Sequence, residues 1–105
     1  MNPEIQKVLV CSTSHLTEDQ CNVILPNNCN GHMEVITREY GVMIRIPSVI
    51  NDIHDLDFSK EMQAVKDIVG DNVMALMSYA DRCGCRYLYF DCDAEELEDF
   101  PTYSW

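Results

Sequence analysis

A chain of 105 residues, 47% hydrophobic and 24% charged, has the material for one folded domain and little room for two. Its 18 Asp and Glu against 7 Lys and Arg give a formal net charge of −11. That charge repels phosphate backbones and anionic lipid, and direct nucleic-acid binding needs clustered bases instead. No run approaches the 18 apolar residues of a membrane span, and Met1 to Lys7 lacks the basic-then-apolar order of a signal peptide. The expected setting is cytoplasmic, with the six cysteines reduced.

Lys7 to Cys11 (Lys-Val-Leu-Val-Cys) reads as a buried strand. Ser12 to Leu16 follow as a turn. Thr17 with Gln20 has the capping-box spacing and starts a short helix whose apolar side is Cys21, Ile24 and Leu25. Pro26 and Asn27 to Gly31 end it as a loop. Met33 to Tyr40 and Val42 to Ile46 flank Gly41 and predict a β-hairpin, with Gly41 supplying the tight connection and Pro47 the end. Ser48 to Asp57 is mixed and contains His54.

Phe58, Met62, Val65, Ile68 and Val69 fall at helical spacing. Gly70 breaks this helix and Asp71 caps the next, whose core stripe is Val73, Leu76, Met77 and Ala80. Gly84 stands at its C-terminal left-handed position, and Arg86 to Phe90 is the clearest strand. The order β-α-β-β-α-α-β predicts a single two-layer α+β domain over residues 1–105. Its sheet is mostly antiparallel, of four or five strands, with helices on one face.

The last fifteen residues change character. Asp91, Asp93, Glu95, Glu96, Glu98 and Asp99 stand without a Lys or Arg, and Phe100, Tyr103 and Trp105 follow. Such a terminus is expected to fold back onto the body, as a last short strand. Carboxylates beside aromatic anchors suit a basic partner groove. Asp52, Asp55 and Asp57 add a second acidic patch.

Several motifs occur in a recognisable order: Ser12-Thr-Ser-His-Leu16, Tyr40-Gly41, Gly84-Cys-x-Tyr-Leu-x-Phe-Asp91 and Pro101-x-Tyr-x-Trp105. Together they resemble an uncharacterised small-domain family carried by bacteriophages, plasmids and other mobile elements. The likeness covers both ends and the hairpin and leaves Ser48 to Val69 aside. It implies a small accessory protein acting in the host cytoplasm against a defence system, and carries no catalytic residues over. With the acidity, it makes the leading expectation a non-enzymatic inhibitor that occupies the basic nucleic-acid-binding surface of a host nuclease. A CRISPR effector is the concrete case and a restriction enzyme the second. The expected contact set is the acidic run with Tyr103 and Trp105, plus Asp52, Asp55 and Asp57.

The competing chemistry is a small enzyme or metal protein. Ser12, Thr13 and His15 follow the first strand and Asp91 follows the last, so hydroxyl, imidazole and carboxylate converge if those strands are parallel neighbours. Cys83-x-Cys85 with Cys29 and His32 makes a four-ligand zinc set if the fold gathers them, although the knuckle spacing is absent. Asp91-x-Asp93-x-Glu95 alternates like a calcium loop but lacks its sixth-position glycine and twelfth-position glutamate. The structural alternatives are hydroxyls bonded to turn backbone, His15 packed at a strand end, one of Cys83 and Cys85 buried beside a capping glycine, and Cys11 and Cys92 packed as small hydrophobes. No cofactor motif is present. A self-associating module using Tyr87, Tyr89 and Trp105 is a third reading, so the chain is expected to be a monomer or homodimer.

Overall fold

The computed structural model describes residues 6–47, 50 and 56–104, with the side chains of Asn30 and of residues 56–61 left aside. Four strands, β1 (Lys7–Ser12), β2 (Val35–Arg38), β3 (Gly41–Arg45) and β4 (Cys85–Asp91), form one sheet in the order β1-β4-β3-β2. β4 runs antiparallel to β3 and parallel to β1, and β2 pairs antiparallel with β3. Two of the three pairings are antiparallel, as expected, and the parallel one sets the C-terminal ends of β1 and β4 side by side.

The hairpin forms, but Gly41 is not its turn. Glu39 and Tyr40 make the connection, and Gly41 is the first residue of β3, paired with Asp91. A Cβ there would stand 1.7 Å from the Phe90 carbonyl oxygen. Glycine is required because the β4 backbone passes over it, a close approach that only a residue without a side chain permits.

The helix expected after Thr17 is irregular. Thr13–His15 is a 3₁₀ turn, Gln20–Ile24 a π-type turn, and α1 (Asn28–Gly31) a single turn where a loop was expected. The capping box is nonetheless made in both directions: Thr17 N–H donates to Gln20 Oε1 at 2.8 Å, and Gln20 N–H to Thr17 Oγ1 at 3.2 Å. The Gln20 amide also donates to the Val69 carbonyl and exchanges two 2.7 Å bonds with the Asn72 amide. Asn72 in turn donates to the His15 carbonyl at 3.1 Å. This amide pair ties the segment after β1 to the junction of two helices.

Those helices are α2 (Leu56–Val69) and α3 (Asp71–Arg82). Gly70, at φ +89°, is the N-cap of α3 in place of Asp71, which lies in the first turn where its carboxylate meets the positive end of the helix dipole. Val65 and Val69 of α2 and Val73, Leu76, Met77 and Ala80 of α3 are buried against Cys11, Val42, Ile44, Leu88 and Phe90 of the sheet. Gly84, at φ +83°, ends α3 in the left-handed position expected of it.

The helices cover one face only. In β4 an extra residue, Arg86, lies between the partners of Lys7 and Val8, so the strand bulges and its alternation changes phase. Cys85, Leu88 and Phe90 then point to the core, while Tyr87 and Tyr89 lie half-buried on the open face beside Val8, Val10, Ile36 and Met43. β1, expected to be buried, is an edge strand with Val8 40% and Val10 50% exposed. An uninterrupted apolar run reads the same whether a strand has one neighbour or two.

Candidate partner-binding surface

The chain leaves β4 at Asp91, and among the described residues no fifth strand forms. It turns at once: the Asp91 carboxylate accepts the Asp93 N–H at 2.8 Å, and the Asp91 carbonyl accepts the Ala94 N–H at 3.1 Å. This is the local hydrogen bonding that makes aspartate a turn residue. Cys92 N–H donates to the Tyr40 carbonyl at 2.9 Å, and Ser12 N–H to the Glu95 carbonyl at 3.1 Å. The segment therefore lies across the C-terminal ends of β1, β4 and the hairpin.

His15 is the clasp that holds it. The residue is fully buried. Its Nε2 accepts the Leu97 N–H at 2.8 Å, and its Nδ1 lies 2.9 Å from the Pro101 carbonyl oxygen. A carbonyl only accepts and a backbone N–H only donates, so the ring is the Nδ1–H tautomer with both nitrogens committed. Phe100 stands edge-on to His15 at 6.4 Å between ring centroids and to Tyr79 at 5.3 Å. Tyr103 N–H closes the contact on the Ser14 carbonyl at 2.7 Å. Leu97 and Phe100 pack on the core. Thus the Ser-Thr-Ser-His-Leu block and the Pro-x-Tyr block, at opposite ends of the chain, touch each other directly.

Pinned this way, the segment presents its acids outward. Asp93, Glu95, Glu96, Glu98 and Asp99 are exposed and Asp91 is half-buried. Among the described residues the ion pairs are Arg45–Glu34, Lys66–Asp71 and Arg86–Asp81, so none of the six acids is neutralised by a Lys or Arg. Tyr103, 37% exposed, lies at the margin of this surface. Trp105, Asp52 and Asp55 lie outside the described residues, as does His54, and the Asp57 side chain is among those left aside.

The catalytic constellation does not form, although its precondition is met. β1 and β4 are parallel neighbours, with Ser12 opposite Asp91. But the His15 ring is used up by backbone, and Ser12 Oγ accepts the Ser14 N–H at 3.1 Å, the turn bond of the structural alternative. One Asp91 carboxylate oxygen accepts the Asp93 N–H of the turn. Thr13 and Cys92 form the shared wall of two hollows, one of about 390 Å³ with Ser12, Ser14 and Tyr103, the other of about 380 Å³ extending to Asn22, Arg38 and Tyr40. Ser14 Oγ, buried beside the first, has no hydrogen-bond partner among the described residues, and so no base to activate it.

The metal readings fare differently. Cys29, His32, Cys83 and Cys85 are not gathered into a ligand set among the described residues. Cys85 is buried and Cys83 exposed on either side of Gly84, as in the structural alternative. Asp91, Cys92 and Asp93 do bring one ligand atom each within 4.8 Å of one another. Cys92 is exposed rather than packed as a small hydrophobe. Desolvation, then the Asp93 and Asp91 carboxylates, push its thiol above the ordinary range.

The signal that sequence reasoning missed is the role of His15 as an acceptor and donor for the terminal segment. The pairing of a His-containing block after one strand with a Pro-aromatic block at the terminus was visible, but their contact was not.

Among the described residues no helix is long and apolar enough to cross a membrane. No curated protein and no solved structure matches the chain. One family model does match, described as the C-terminal domain of a family of unknown function, DUF5983, over residues 8–105. The matched range includes Ser48 to Val69, the segment that the motif likeness had left aside. The buried core, the two clasped motifs and the acidic segment all fall inside it, and the chain belongs to the DUF5983 family.

Proposed function

We propose that this protein is a binding module that engages a basic surface on a protein partner through the clasped acidic segment, Asp91 to Asp99. The observation that supports this most is the combination of fixed backbone and unpaired charge. Six carboxylates lie on nine residues that are tied to the body by His15, Ser12 and Tyr40, with no base to neutralise them among the described residues. Fixing a charged segment before binding removes part of the ordering cost of association. Concentrating charge at one end of the sheet steers a basic partner to that end. A floppy acidic tail of the same composition would provide the charge but not the geometry.

The motif likeness to families of mobile elements supplies the class of partner to test first. These are host defence nucleases, whose nucleic-acid channels are basic; a CRISPR effector comes first and a restriction enzyme second, met in the host cytoplasm. Binding there would exclude the nucleic acid by occupying its electrostatic site.

The test is binding of the purified protein to such nucleases at rising salt, alongside a variant carrying Glu95→Gln, Glu96→Gln, Glu98→Gln and Asp99→Asn. The expected result is a complex that competes with nucleic acid, weakens as salt rises, and is lost in the amide variant while the fold is kept. If no basic nuclease binds even at low salt, or if the amide variant binds equally well, the proposal fails.

A further inference from the structure

We propose that His15 is a proton-operated clasp, and that uptake of one proton by its ring releases the terminal segment from the body. The two ring bonds fix the sign. Nε2 accepts the Leu97 N–H at 2.8 Å and so needs its lone pair, while Nδ1 already donates to the Pro101 carbonyl at 2.9 Å. A proton can therefore add only at Nε2. Two N–H donors would then face each other at hydrogen-bond distance, and an attraction becomes a repulsion. The ring is 0% exposed, so the new charge cannot reach water while the clasp is closed. A buried cation left with one carbonyl acceptor is costly.

No neighbouring acid offsets that cost by pairing with the ring. Among the described residues no carboxylate forms an ion pair with it. On the terminal segment Glu96, Glu98 and Asp99 are exposed, and Asp91 is held at the end of β4. After the 3₁₀ turn Glu18 and Asp19 are exposed. On α3 Asp71 pairs with Lys66 of α2 at 3.5 Å, and Tyr79 reaches Phe100 rather than the imidazole. The segment is the side that yields. Leu97 and Phe100 are only half-buried, whereas Leu16 is fully buried next to His15 and Asn72 holds the His15 carbonyl. Opening places the ring in water, where imidazole takes its proton at about pH 6.5. The closed form is thus the neutral one, and closure is favoured as pH rises and lost as pH falls. With one proton bound only in the open form, lowering the pH from about 7.5 to about 5.5 raises the open-to-closed ratio about tenfold. Weaker engagement of a basic partner in acid would follow, and that consequence alone rests on the proposed function.

Amide hydrogen exchange on the whole chain, without a partner, provides the test. Protection is taken relative to the intrinsic exchange rate at each pH between about 7.5 and about 5.5. The Leu97 and Tyr103 amides are expected to lose protection about tenfold across this range, while those of Ile44 and Leu88 in the sheet keep theirs. The double variant His32→Gln with His54→Gln, which leaves His15 as the one histidine, should show the same loss. So should the variant carrying Glu95→Gln, Glu96→Gln, Glu98→Gln and Asp99→Asn, because these carboxylates are not its source. His15→Phe should give low protection at both amides with no dependence on pH. Because no partner is present, failure here is separate from failure of the proposed function. A change of less than about twofold in the parent, a loss that persists with pH in His15→Phe, or its absence from either of the other two variants overturns the proposal.

Discussion

Replacing His15 by phenylalanine isolates the clasp. Phenylalanine keeps a planar ring of similar size in the buried site and so preserves the contact with Phe100, but it offers neither donor nor acceptor. The Leu97 N–H and the Pro101 carbonyl, now bonded at 2.8 and 2.9 Å, lose their partners. Each bond is worth about 1 kcal/mol net, and a polar group left desolvated costs somewhat more. Together the loss is about 2–3 kcal/mol, a large part of the stability of a domain this size. At roughly 4 °C per kcal/mol the melting temperature should fall by about 10 °C. Urea unfolding reads the free energy, and amide hydrogen exchange reads its location. Leu97 and Tyr103 amides should exchange much faster while those of β3 and β4 keep their protection, since the terminal segment is released before the core. Affinity for a basic partner should fall in parallel, because the carboxylates remain but their fixed arrangement does not. A variant within about 0.5 kcal/mol of the parent, or one whose Leu97 amide stays protected, would refute the claim that His15 holds the segment.

Gly41→Ala should cost about 3 kcal/mol or prevent folding, as overpacking at a strand–strand contact does; a melting temperature equal to the parent's would show that β3 and β4 do not approach so closely. Gln20→Ala strands the Val69 carbonyl and the Asn72 amide and should destabilise by about 2 kcal/mol, measured by urea unfolding, with Asn72→Ala adding little in the double variant because the two residues act as one unit. Thiol titration of the native protein should modify Cys83 and Cys92 and spare Cys11, Cys29 and Cys85 until denaturant is added. Burial pushes the Cys11 thiol up from 9.0 to about 12. The folded state thus prefers the neutral thiol. That preference contributes fully below pH 9 and is lost progressively as pH rises toward 12, so stability should decline across this alkaline window. In a Cys11→Ala variant the decline should be shallower, and an identical slope would remove Cys11 as its source.

Much of the fold could be read from local pattern. The α3 stripe of Val73, Leu76, Met77 and Ala80, the hairpin, the Thr17–Gln20 capping box and the left-handed Gly84 each depend on residues within one turn or one strand of each other. The same holds for the placement of six acids on one short segment. The errors arose where a residue's role depended on a neighbour far away in the chain. Gly41 looks like a turn glycine until β4 passes over it, and Lys7 to Cys11 looks buried until the sheet order leaves it at the edge. Asp71 gave way to Gly70 because the α2–α3 junction imposes a positive φ that glycine alone adopts cheaply.

The candidate site divides in the same way. Net charge and the bare acidic run are properties of composition, and sequence by itself determined them, together with the α+β class that its periodicities demand. Whether those acids form a loose tail or a fixed surface was a matter for tertiary structure alone. The deciding bonds join residues more than eighty positions apart, from His15 to Leu97 and Pro101. A histidine in a strand-end turn looks the same in sequence whether its ring serves catalysis, metal or backbone. Only the fold, by placing one N–H donor and one carbonyl acceptor against its two nitrogens, made it the clasp.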